Sequence, residues 1–105
     1  MAKKTMMNRH DSLIDRVEKE LKERGYVNTK RNLEYSIKQC GEIDLYAIKD
    51  RYVLLFEMKT TDNYKSRKKA IEQLNRATNN CFNNYRVFKF YVSNYKDMKI
   101  EWIKK

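Results

Sequence analysis

The sequence predicts a mixed α/β (α+β) domain around a central mixed sheet, with elements in the order α-β-β-β-α-β-β. Three observations lead there. Apolar residues recur at helical spacing in two separate segments. Between those segments lie three strand-like runs joined by turns too short for a parallel crossover. Two more strand-like runs follow the second helical segment, which is itself long enough to carry a parallel connection.

The first helix is predicted from Asp11 to Arg24, where Leu13, Ile14, Val17 and Leu21 form one apolar stripe. Asp11 or Ser12 can cap its start, and Gly25 sits where a left-handed stop belongs. Leu33, Tyr35 and Ile37 alternate with Glu34, Ser36 and Lys38, the pattern of a half-buried first strand. Ile43 to Ile48 reads as a second strand. Lys49 to Arg51 makes a polar turn, and Tyr52 to Lys59 reads as a third strand. Ala70, Ile71, Leu74, Ala77 and Cys81 mark the second helix. "YRVFKFYVSN" reads as a buried fourth strand and "MKIEWIKK" as an edge-like fifth. The three early strands form an antiparallel meander.

At 105 residues the chain is one domain, residues 1–105, with residues 1–10 expected as a flexible basic arm. No apolar run reaches membrane-span length, and the start lacks a signal-peptide core. The expected setting is cytoplasmic, a host cytoplasm if the source is viral. Cys40 and Cys81 have no CxxC spacing, so a zinc site is excluded and the pair reads as two reduced, partly buried thiols. Lysine and arginine number 24 against 14 acids, a net charge of +10. That balance points to a polyanionic partner, nucleic acid before membrane.

Against this charge, the acids inside the apolar strands stand out. Residues two apart on a strand share a face, so Glu57 and Lys59 point together, as do Glu42 and Asp44. A hairpin about residues 49–51 brings Asp44 opposite the neighbourhood of Glu57. Carboxylates brought this close need a neutralising partner. A hard divalent cation fits: Mg²⁺ takes one or two carboxylates, keeps water and leaves room for a phosphate. The chemistry that follows is phosphodiester hydrolysis, with Lys59 placed to orient a water or offset transition-state charge. Glu42 reads as a rim charge. Lys65, Arg67, Lys68 and Lys69 stand at the start of the second helix, where phosphates bind. Lys3, Lys4 and Arg9 can extend the contact along DNA. Tyr35, Tyr46, Tyr52, Tyr91 and Trp102 read as core or dimer surface, and His10 as a tail residue.

Asp44 on one strand and Glu57-Met58-Lys59 on the next resemble the motif of the PD-(D/E)xK nuclease superfamily. The stretch "GEIDLYAIKD…VLLFEMKTT" is most similar to small archaeal and viral Holliday junction resolvase-type endonucleases. The resemblance implies a restriction-endonuclease-like core and a Mg²⁺-dependent deoxyribonuclease, with Mn²⁺ as a substitute. It implies Asp44, Glu57 and the Met58 carbonyl as metal ligands, Lys59 as the catalytic lysine and Gln73 on the following helix as its support. It also implies an acid on the first helix, for which Asp15 is favoured over Asp11 and Glu18. Ile43 stands where many members carry proline. A homodimer cutting branched DNA follows from the same resemblance. Two alternatives remain open: a flap, overhang or single-strand nuclease with the same site, and a non-catalytic nucleic-acid-binding protein on a nuclease fold.

Overall fold

The computed structural model describes residues 9–33 and 43–104. The described elements run α1 (Arg9–Glu23), β1 (Thr29–Leu33), β2 (Ile43–Lys49), β3 (Tyr52–Met58), α2 (Tyr64–Cys81), β4 (Arg86–Ser93) and β5 (Lys99–Ile103). The fold is mixed α+β, with two helices and one five-stranded mixed sheet in spatial order β1-β2-β3-β4-β5.

α1 buries Leu13, Ile14, Val17 and Leu21, the stripe that its sequence spacing predicts. It stops because Gly25 takes φ 97°, which lets the Tyr26 N–H reach the Leu21 carbonyl (3.0 Å) and the Gly25 N–H reach Lys22 (3.1 Å). These paired bonds satisfy carbonyls that the helix end leaves open. The helix begins at Arg9, two residues before the expected start, so Arg9 and His10 belong to α1 and not to a flexible arm. Lys3 and Lys4 lie outside the described residues.

The first strand also differs from expectation. β1 is Thr29–Leu33, which shares only Leu33 with the predicted alternating run; positions 34–37 lie outside the described residues. β1 is an edge strand fixed by its antiparallel register on β2, from Thr29 opposite Ala47 to Leu33 opposite Ile43. An edge strand held by backbone pairing needs little apolar alternation, so "TKRNL" gave no signal.

β2 and β3 form a hairpin closed by Lys49 opposite Tyr52, with Asp50 at φ 58° in the turn. Asp tolerates that left-handed backbone better than most residues. α2 starts where the Asn63 side chain accepts the Ser66 N–H at 2.9 Å, an N-cap worth about 1 kcal/mol. It returns the chain to β4, which runs parallel to β3 from Tyr52 opposite Arg86 to Met58 opposite Val92. β5 closes the sheet antiparallel to β4.

The helices cover opposite faces. α1 packs its stripe on Leu45, Ala47, Phe56, Met58 and Val92. α2 packs Ala70, Leu74 and Ala77 on Val53, Leu55 and Tyr91. β2 and β3 pack against both helices, and Val53, Leu55 and Met58 on β3 are fully buried. Cys81 is disulfide-bonded and not the reduced thiol that the sequence suggests. The chain's other cysteine, Cys40, lies outside the described residues.

Candidate metal centre

The centre forms where β2 and β3 part. Their ladder runs from Lys49–Tyr52 to Leu45–Phe56 and goes no further. β3 continues alone against β4, and the Lys59 N–H bonds the Val92 carbonyl at 2.8 Å. At the parting point the Asp44 side chain takes over from the β2 backbone: its Oδ2 accepts the Met58 N–H at 2.9 Å. That bond orients the carboxylate beside Glu57.

Glu57 is the only charged side chain buried in the core among the described residues, at 4% exposure. Burial pushes its pKa up to about 9, and the adjacent Asp44 carboxylate adds to the rise. The Lys59 ammonium opposes it without prevailing. Both effects disfavour a second negative charge, so the metal-free centre keeps a proton on Glu57 at neutral pH.

His10 completes the centre. Its Nε2 stands 3.2 Å from Asp44 Oδ2, and its ring also bonds the Met58 backbone. The hydrogen bond with Asp44 is the main cause that raises the His10 pKa, with partial burial opposing it. The sequence reading placed His10 in the tail. A signal was present: positions 10, 13, 14, 17 and 21 share one helical stripe, so His10 extends the buried face by a turn.

Asp15 is not part of this centre. It pairs with Arg31, which also binds Glu18 Oε1 through two nitrogens (3.0 and 2.6 Å). The Thr29 hydroxyl donates to Glu18 Oε2 at 2.6 Å, so this cluster ties α1 to the edge strand β1. The reason is helical geometry: five residues from His10 is about 140° around the axis, which turns Asp15 away from Asp44. Gln73 is half-buried on α2, next to the core residue Leu74. Glu42 lies outside the described residues.

Among the expected phosphate contacts, Lys65, Lys68 and Lys69 are exposed on the first turns of α2. Arg67 instead binds both oxygens of Glu101 (3.0 and 2.6 Å), fastening α2 to β5. Arg9 lies 5.4 Å from the centre of the Tyr95 ring, where Arg16 also sits.

No group of three or more His, Cys, Asp or Glu side chains is disposed to hold a metal among the described residues. A hard cation does not require one. Mg²⁺ binds through one or two carboxylates and keeps its waters. Asp44 and Glu57, two oxygen donors whose mutual repulsion a cation would relieve, fit that chemistry.

Compared with protein-family models, with curated proteins and with solved structures, the chain matches none. No helix among the described residues is long and apolar enough to cross a membrane.

Proposed function

We propose that this chain is a metal-dependent DNA endonuclease on a restriction-endonuclease-like core. The observation that carries the reading is the buried Glu57 beside Asp44 at the point where β2 and β3 separate. Such a pair is costly in a core without a counter-charge, and a bound cation would relieve that cost. Asp44, Glu57 and the Met58 carbonyl would hold Mg²⁺ or Mn²⁺. The cation supplies an acidified water and neutralises charge on the scissile phosphate.

The chain's own residues do the rest. The Met58 N–H fixes the rotamer of Asp44. Lys59, close enough to lower the proton affinity of Glu57, would orient a water and offset charge that develops on the scissile phosphate. Gln73 supports the lysine from α2. Lys65, Lys68 and Lys69 hold the substrate backbone near an N-terminus that favours phosphate. One small domain has little surface for reading base sequence, which favours structure-selective cleavage of branched DNA by a homodimer.

The test is incubation with labelled four-way junction, flap, duplex and single-stranded DNA, with Mg²⁺, Mn²⁺ or EDTA. Asp44→Ala and Lys59→Ala run beside the wild type. Metal-dependent cleavage lost in both variants is the expected result, and the preferred substrate then names the enzyme. Binding without cleavage under any metal would overturn it.

A further inference from the structure

Three hollows lie away from Asp44 and Glu57. They adjoin one another at the opposite end of the sheet, with volumes of about 580, 580 and 360 Å³. Tyr52 and Phe88 each line two of them, as does Tyr85. They meet at these rings around the first residues of β3 and β4, the first hollow reaching the α2 face and the third the α1 face.

Their floor is aromatic. α1 covers the sheet over Phe56, Met58 and Val92 but does not reach the start of β3 or the end of β5. The rings left open form a row across three neighbouring strands. Tyr52 stands 5.9 Å from Phe88, and Phe88 stands 6.3 Å from Trp102. Tyr52 is 43% exposed and Trp102 is 51% exposed. Rings in contact with one another and open to solvent form a contiguous apolar patch, which marks an interaction surface.

Their rim is cationic. Arg51, Arg86, Lys89 and Lys104 line the hollows, against the single acid Asp50. The Lys104 ammonium lies 5.0 Å from the Trp102 ring, and Lys49 lies 5.4 Å from the Tyr26 ring. A second copy of the chain seated here would set these cations against their own symmetry mates. A polyanion with flat apolar faces complements both features at once.

We infer that this aromatic row is a binding site for single-stranded nucleic acid. Bases stack on Tyr52, Phe88 and Trp102, while Arg51, Arg86 and Lys104 take the phosphates. Stacking of this kind is tolerant of sequence, and the cation rim makes it sensitive to salt. The site lies about five residues of β3 away from Glu57, roughly 16 Å along an extended strand. It would hold an unpaired strand at a distance from the metal centre.

Trp102 is the chain's one tryptophan, so its fluorescence reports on the site directly. The experiment titrates the wild-type protein with a thymidine oligomer in EDTA, beside Tyr52→Ala, Arg86→Glu and a blunt duplex of equal length. Saturable quenching is expected, weakened about ten-fold or more by each substitution and much weaker with the duplex. Equal affinity in Tyr52→Ala, or equal affinity for the duplex, would overturn the proposal. So would quenching that follows protein concentration without oligomer, the mark of a dimer interface.

Cleavage of labelled four-way junction, flap, duplex and single-stranded DNA with Mn²⁺ is read in parallel, because the substrate class proposed here extends the nuclease reading. Quenching without cleavage leaves this site standing and counts against the nuclease. Cleavage without quenching does the reverse.

Discussion

The two ends of β3 have opposite characters. At its start, Tyr52 is an exposed aromatic beside Phe88, ringed by cations. At its end, Glu57 is a buried acid beside a second acid. Between them Val53 and Leu55 are fully buried under α2. Soluble domains ordinarily place these residue types the other way, with the aromatic inside and the carboxylate outside. The inversion sets the buried middle of the strand, which supplies stability, apart from the two ends to which the proposals above give separate roles. Each end should then respond differently to substitution.

The largest contrast is in catalysis. Asp44→Ala should lower metal-dependent cleavage by about a thousand-fold or more, because it removes an expected metal ligand and the acceptor of the Met58 N–H. Tyr52→Ala, assayed on duplex substrate, should leave the rate within a few-fold. A matching loss in both would mean that the two ends are not separate sites.

The next contrast is in stability. Glu57→Gln keeps the shape and the hydrogen-bonding capacity of the protonated acid but cannot ionise. It should stabilise the metal-free protein at pH 7 by on the order of 2 kcal/mol in urea unfolding. Tyr52→Ala at the exposed end should change stability by less than about 1 kcal/mol.

The same acid sets a pH dependence. The folded pKa of about 9 stands above the ordinary glutamate value of 4.5, so between these values the folded chain holds a proton that the unfolded chain has lost. Stability of the metal-free protein from this group must fall as pH rises from about 4.5 towards 9. Thermal melts across that range should show the decline in the wild type and a flatter curve in Glu57→Gln.

The smallest effect concerns His10. Its raised pKa means that its bond to Asp44 contributes fully below 6.5 and is lost as pH rises through the folded value. The ring is 38% exposed, so solvent screening limits the contribution to no more than about 1 kcal/mol. His10→Ala should therefore destabilise the protein measurably at pH 5.5 and hardly at pH 8.5.

Much of this architecture was legible in the sequence because the buried positions repeat at fixed periods. The stripes of α1 and α2 announce their helices, and the turn at Lys49 to Arg51 announces the hairpin. Asp44 and Glu57 were legible because an acid within an apolar strand contradicts its surroundings. What escaped was set by tertiary contact. β1 is held by the register of β2 and not by its own polar sequence. Arg31 draws Asp15 and Glu18 to the sheet edge, and no local pattern encodes that choice. His10 looks like tail because "MAKKTMMNRH" has no apolar periodicity of its own, and only its place on the stripe of Leu13, Ile14, Val17 and Leu21 marks it as helical. The aromatic row was invisible for a similar reason. Tyr52, Phe88 and Trp102 lie on three strands, and the sequence alone, which reads Tyr52 and Trp102 as core or dimer surface, does not bring them into one row.

The central claim is that Asp44 and Glu57 together bind a divalent cation. Electron paramagnetic resonance of Mn²⁺ titrated into the wild type and into Asp44→Asn tests it without reference to cleavage. The account predicts saturable loss of the free Mn²⁺ signal in the wild type and little or none in Asp44→Asn at the same concentrations. Binding of equal strength in both proteins, or in neither, would contradict it.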